Sequence, residues 1–357
     1  MYATFWRKLV ASQNPPLVYK MLRWTLLVPS FFYRVAVVFR NRLYDMSVLK
    51  TVKVPAAVIS IGNITTGGTG KTPLVAWLCN HYTAKGVSTA VLTRGYKVKD
   101  SVFADEPAML AKASPDAKVI VNPDRIAGAK KAISEYNAKL LIMDDGFQHR
   151  KLARDIDIVA VDATEPFGYE KILPAGLLRE PLDSLKRADA VVITRFNQNS
   201  PEIISEIKNR ISQINSDIVF ASAVHKPLGV KLINDDQMQL KELIGKKIYA
   251  FCGIGNPASF FQTLSDMALN IVGTKVYNDH HMYTDADIAA IYEDASYKQA
   301  QLVITTHKDW IKTALLSIDK FEIPFAALLI ELQFISGQEN IIALVDKAVE
   351  KYVSRTF

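Results

Sequence analysis

At 357 residues, about half of them apolar, the chain is long enough for two domains with buried cores. Its net charge of +7 arises within residues 1–50, where eight basic residues face Asp45 alone; the rest is balanced, which argues against a nucleic-acid enzyme with a basic main domain. Cys79 and Cys252 are far apart and outside any C-x-x-C, which argues against a disulfide scaffold or zinc site and for a reducing compartment.

The first element in chain order is helical. Leu17, Met21, Trp24, Val28, Phe31, Val35 and Val38 recur at helical spacing, with Lys20, Arg23 and Arg34 on the opposite stripe. Asn14-Pro15-Pro16 supplies a start, and Pro29 predicts a kink or a split into two helices. The longest uncharged run, Trp24 to Tyr33, is too short to span a bilayer, and no cleavable signal peptide is evident. The pattern fits a helix lying in a membrane interface, with a helix docked on the protein's own core as the plainer alternative.

The apolar run Val54–Ile61 predicts a buried strand, and Leu74-Val75-Ala76-Trp77-Leu78 a helix. Between them lies Gly62-Asn63-Ile64-Thr65-Thr66-Gly67-Gly68-Thr69-Gly70-Lys71-Thr72-Pro73. Strand, glycine-rich loop, Lys-Thr and helix is the order of a phosphate-binding loop. The backbone from Gly67, Gly68, Thr69 and Gly70 would cradle phosphate, Lys71 would reach the β- and γ-phosphates, and Thr72 would ligate Mg²⁺. The usual spacing asks for glycine at 65, where this chain has threonine.

Further strands are predicted at Thr89–Leu92, Val119–Val121, Leu140–Met143, Ile158–Val161, Val191–Ile193 and Ile218–Ala221, with helix-like stretches such as Leu74–Lys85 and Ile126–Tyr136 between them. A second series follows at Ile248–Phe251, Ile271–Val276, Leu302–Thr305 and Ala327–Ile330. The expectation is an α/β protein with a mostly parallel sheet, divided into an N-terminal helical segment at 1–50, a phosphate-loop domain at 51–222 and a smaller α/β domain at 223–357.

Ligands bind at the carboxyl ends of strands in such sheets. Those ends carry Thr93-Arg94-Gly95-Tyr96, Asp144-Asp145-Gly146, Asp162, Thr194-Arg195 and Thr305-Thr306-His307-Lys308-Asp309. Asp144 or Asp145, ending an apolar strand downstream of the loop, is the expected second Mg²⁺ element. The guanine-reading pattern [NT]-K-x-D is not found as such; Thr306-His307-Lys308-Asp309 comes near with its lysine one position late. A kinase also needs a group for the acceptor hydroxyl, and Asp105, Asp124, His149, His280 and His281 are all open. Gly253-Ile254-Gly255-Asn256-Pro257 is read as a strand-to-helix turn.

The string from Gly62 to Pro73, with Arg94-Gly95-Tyr96, Asp105-Glu106-Pro107, Asp144-Asp145-Gly146-Phe147-Gln148-His149, Leu173-Pro174-Ala175-Gly176 running to Arg179-Glu180-Pro181, and Asp279-His280-His281, resembles the tetraacyldisaccharide 4′-kinase family over nearly the whole chain. Thr65 is typical of that family. The resemblance implies a P-loop NTPase-like α/β/α sandwich with a second, smaller α/β/α domain, and a site in the cleft. It implies transfer of the ATP γ-phosphate to the 4′-hydroxyl of tetraacyldisaccharide 1-phosphate, giving lipid IVA, at the cytoplasmic face of the bacterial inner membrane. The N-terminal helix would be a peripheral anchor, with no nucleic acid or obligate protein partner. It implies Asp105 as base, His280 as its partner, Lys71 on the phosphates, and Asp144, Asp145 and Glu180 around the metal. The competing expectations are a P-loop GTPase or ATPase switch acting on a membrane-bound partner, and a non-enzymatic nucleotide sensor.

Overall fold

The computed structural model describes residues 6, 9–11, 16–95, 105–234, 236–313, 316 and 321–353, with side chains from 107 onward in the second of the long segments. The chain forms two compact units: one takes the described residues up to Val224 and those from Phe334 on, the other is His225–Gln333.

The first unit contains β1 (Ala57–Gly62), β2 (Thr89–Thr93), β3 (Lys118–Val121), β4 (Leu140–Asp144), β5 (Ile156–Asp162), β6 (Ala190–Thr194) and the first half of β7 (Val219–Leu232). They pair in the order β7-β6-β5-β1-β4-β2-β3, every pair parallel. β1, β2, β4 and β6 are buried along their whole length, which is why they appear in the sequence as continuous apolar runs and not as alternating ones. Parallel pairing puts all their carboxyl ends on one edge, and the phosphate-loop candidate follows the central strand β1. The helix after that loop is α2 (Lys71–Ala84).

The expected smaller domain ran to residue 357, but the chain returns to the first unit at Phe334. The reason is the amphipathic helix Gln338–Val353, whose Ile341, Val345, Ala348 and Val349 are buried and which packs against β1 and β5. Tyr82 of α2 donates a hydrogen bond to Asp346 at 2.8 Å, and Lys85 pairs with the same carboxylate at 3.4 Å.

The second unit holds β9 (Lys247–Cys252), β10 (Asn270–Val276), β11 (Leu302–Thr306) and most of β12 (Phe325–Ser336), parallel in the order β10-β9-β11-β12. A short strand, β8 (Gln237–Gln239), pairs antiparallel with the end of β7. It was not expected from the sequence, because three polar-flanked residues carry no periodicity. The core is built on Ile248, Ala250, Leu264, Leu302, Ile304 and Ala326. Cys79 and Cys252 are free and buried, as two unpaired small apolar side chains would be.

The N-terminal helix α1 is Leu17–Asp45, unbroken through Pro29. The split expected at Pro29 does not occur: one lost backbone hydrogen bond is outweighed by docking directly beyond it. Ser30 donates to the Ile172 carbonyl at 2.8 Å, Tyr33 to the Arg179 carbonyl at 3.2 Å, and Arg40 and Asn41 to Glu180 at 2.9 and 3.1 Å. The docked face is therefore the one opposite the apolar stripe, with Ser30 and Val37 buried on it. The stripe Leu17, Met21, Trp24, Val28, Phe31 and Val35 is exposed, Trp24 at 72%. By length and composition alone this helix qualifies as long and apolar enough to cross a membrane.

Candidate active site

The loop after β1 begins with an unusual feature. Ile64 and Thr66 are tied to the segment Leu177–Arg179: Thr66 N–H donates to Leu177 O at 2.8 Å, Arg179 N–H to Ile64 O at 2.7 Å, and Thr65 bridges Leu178 antiparallel. Thr65 is thus an extended, buried residue, where the usual pattern has a glycine. Its methyl group fits because Gly168 opposite has no side chain; a Cβ there would meet it at 3.0 Å. The loop then turns, and Gly70, at φ +80°, leads into the first turn of α2. Gly68 has open space around it. Helix N-terminus, glycine-rich backbone and Lys71 converge where an anion would be bound.

The acidic pair divides into two roles. Asp144 is buried at the end of β4; its carbonyl accepts from Arg125 at 3.1 Å and its carboxylate from Thr93 at 3.5 Å. Asp145, at φ +53°, turns toward the loop. Arg179 grips it with two hydrogen bonds, at 2.7 and 3.1 Å, and Lys71 stands at 3.5 Å. Burial opposes ionisation of Asp145, but Lys71 and Arg179 outweigh it and hold the carboxyl well below the ordinary range. Two cations around one carboxylate leave an excess positive charge beside the loop.

A depressed carboxyl contributes stability that is fully present above its unfolded value, about 3.9, and is lost only as pH falls through the folded value. Asp145 is therefore ionised throughout pH 5 to 9, and Asp145→Asn is expected to leave the acid limb of a pH–rate profile where it stands in the wild type. A limb displaced by this substitution would show that Asp145 titrates in the working range.

The other sequence candidates separate cleanly. Gln148 donates to the Asn63 carbonyl at 2.8 Å and so braces the loop. His149 is pushed down by burial, and then by Arg125, and is neutral at pH 7. Asp124 caps helix Arg125–Tyr136 by accepting from the N–H groups of Ile126 and Ala127, a structural task. Asp105 opens helix Asp105–Ala113, but its side chain, like Tyr96, lies outside the described residues. Glu180, expected near the metal, has no exposed side-chain surface; its oxygens are taken by Arg40, Asn41 and Arg187, the last at 2.7 Å. In this structure it fastens α1.

In the second unit, His280 sits at φ +60° with its Nε2 3.3 Å from the Lys308 ammonium, and Lys308 also faces Asp279 at 3.5 Å. His281 instead contacts Asp287 at 3.1 Å and stacks on Tyr277. The near-match Thr306-His307-Lys308-Asp309 is a helix start: Thr306 and Asp309 bond each other reciprocally, and Asp309 accepts from Gly253 N–H at 2.9 Å. Asn256 caps helix Pro257–Asp266, so 253–257 leads from β9 into a helix.

Among the described residues no three His, Cys, Asp or Glu side chains cluster as a metal cage. The donors present, Thr72 with Asp144 and Asp145, suit Mg²⁺, which keeps waters and substrate phosphate oxygens in its shell and needs only one or two protein ligands. Sequence reasoning missed the role of Thr194 and Arg195. Thr194 donates to Thr69 O at 2.9 Å and Arg195 to Gly68 O at 2.8 Å. A relaxed search for [NT]-[KR]-x-[DN] at a strand end finds them.

Comparison with known proteins identifies relatives over most of the chain. The family described as tetraacyldisaccharide-1-P 4′-kinase matches residues 22–350. A tetraacyldisaccharide 4′-kinase of Halothermothrix orenii is 36% identical over 330 residues, covering 85% of this chain and 86% of the relative. One from Syntrophus aciditrophicus is 38% identical over 333 residues, covering 86% and 88%. A crystal structure of LpxK from Aquifex aeolicus in complex with ATP superposes with a TM-score of 0.69 at 28% identity, covering 92% of this chain and 99% of that one.

Proposed function

This chain belongs to the tetraacyldisaccharide-1-P 4′-kinase family and is an ATP-dependent kinase of lipid A biosynthesis; on that premise we propose how its residues divide the work. The observation that carries the assignment is the convergence of Lys71 and Arg179 on Asp145 beside the glycine-rich loop. Lys71 exchanges its Asp145 partner for the β- and γ-phosphate oxygens when ATP enters, and the loop N–H groups hold the remaining charge. Thr72 and Asp144 or Asp145 would hold Mg²⁺, which supplies charge neutralisation on the phosphates when bound.

Phosphoryl transfer then depends on positioning and on a group that takes the acceptor proton. Asp105 is the proposed base and His280 the proposed proton-sharing partner, both from the family resemblance. An aspartate alone is weakly basic near neutral pH, so a second group that shares the departing proton is chemically sensible.

The exposed stripe of α1 supports a peripheral seat on the cytoplasmic face of the inner membrane, where the acyl chains of the substrate reside. Removing the whole helix is a poor test, because α1 is fastened through Glu180. Trp24→Ser combined with Phe31→Ser and Phe39→Ser alters only exposed positions. The triple variant is expected to lose flotation with anionic vesicles while its melting temperature is unchanged; undiminished flotation would remove α1 from membrane binding.

The central experiment supplies γ-labelled Mg-ATP and tetraacyldisaccharide 1-phosphate to the purified protein. Label in the lipid is the expected result. Nucleotide turnover without labelled lipid would favour the switch reading instead.

A further inference from the structure

Taking the ATP site as proposed, we propose that the turn Thr194–Asn197, after β6, is the element that recognises the adenine base, with Asn197 as the residue that selects adenine over guanine. Three observations support it. First, the turn is welded to the phosphate loop. Thr194 and Arg195 donate to the carbonyls of Thr69 and Gly68, and Arg195 is itself buried and paired with Asp162, whose other oxygen accepts from Thr164. Tying those carbonyls to the end of β6 fixes the loop backbone against the turn.

Second, the backbone turns at Arg195, at φ +53°, directly before Phe196–Gln198. Phe196 and Asn197 line a cavity of about 290 Å³, with further walls from Pro201, Ile204 and Val224. A purine needs such a place: apolar faces to cover its rings, an aromatic side chain to stack on, and one polar group at its edge.

Third, the polar groups differ in availability. Asn199 spends its amide N–H on the Ala163 carbonyl, whereas Asn197 stands exposed at the rim. A side-chain amide offers a donor and an acceptor side by side. Adenine presents the complementary pair on its Watson–Crick edge, the N1 acceptor and the N6 amine. Guanine presents two donors there, N1–H and the N2 amine, which a carboxylate would match. Thr194-Arg195-Phe196-Asn197 is thus the guanine-reading pattern with arginine for lysine and, decisively, asparagine for aspartate.

The test is equilibrium binding of Mg-ADP, Mg-GDP and inorganic tripolyphosphate to the full chain, which needs no lipid acceptor. The wild type is expected to bind ADP about tenfold or more tighter than GDP. Asn197→Asp, at an exposed position, should weaken ADP about tenfold and narrow or reverse the preference, with tripolyphosphate affinity unchanged. Arg195→Lys should weaken ADP and tripolyphosphate together, since it acts on the loop. An unchanged ADP-to-GDP ratio in Asn197→Asp, or a parallel loss of tripolyphosphate, would overturn the assignment. Absence of lipid labelling in the transfer assay would instead count against the kinase roles proposed above and leave this base preference standing.

Discussion

Lys71→Ala is expected to lower kcat/KM for phosphate transfer about a thousandfold, with melting temperature and overall fold retained. Lys71 is the first residue of α2 and is mostly buried, yet its ion-pair partner, Asp145, keeps two hydrogen bonds to Arg179 when the lysine is gone. The structural cost is therefore small and the chemical cost large: the missing ammonium is the charge that meets the transferring phosphoryl group. Lys71→Arg should rescue poorly, because a planar fork cannot take the place of a compact ammonium in so tight a loop. Transfer within tenfold of wild type in Lys71→Ala would remove Lys71 from the phosphate site.

Glu180→Ala should have the largest effect on stability, about 3 kcal/mol, because it leaves Arg40 and Arg187 facing each other across an emptied buried position. For a unit of this size the melting temperature should fall by roughly 6–12 °C. The same substitution separates the two readings of this residue. A metal ligand would leave the melting curve in place and raise the Mg²⁺ requirement; an anchor for α1 would lower the melting temperature at any Mg²⁺ concentration. Glu180→Gln should cost less than the alanine, since the amide still accepts one of the three hydrogen bonds.

Much of the architecture was legible beforehand because it is local. The seven parallel strands of the first unit and the four of the second were each expected from apolar runs, but β7 and β12 run on to Leu232 and Ser336, well past the expected ends at Ala221 and Ile330, because their later residues are only partly buried and carry no continuous apolar run. The strand-loop-helix at 57–84 was legible for the same reason: backbone freedom at Gly70, a lysine and a hydroxyl follow from chain order alone. What the periodicity of α1 specified was a stripe, and it could not say whether that stripe faces the protein or the solvent. The first unit chose the opposite face, through Ser30, Tyr33, Arg40 and Asn41, because their partners lie at 172–180, far along the chain.

The acidic and basic candidates show the same division. That Asp144 and Asp145 end a strand is written in the residues; that one faces Arg125 and Thr93 while the other faces Lys71 and Arg179 comes from a left-handed turn and from segments more than thirty positions away in the second case. Thr306-His307-Lys308-Asp309 and Thr194-Arg195-Phe196-Asn197 look alike on paper. The first caps a helix, and the second holds the phosphate loop.

The amino-acid sequence by itself determined the elements of this protein, the phosphate loop and the family resemblance, since each depends on neighbours a few residues apart. Only the tertiary structure decided which face of α1 is free, why Thr65 fits where a glycine is usual, and what Glu180 and Arg195 hold. Those outcomes rest on hydrogen bonds and contacts between segments roughly 100 to 140 residues apart, and helical or strand periodicity carries no information about a partner at that distance.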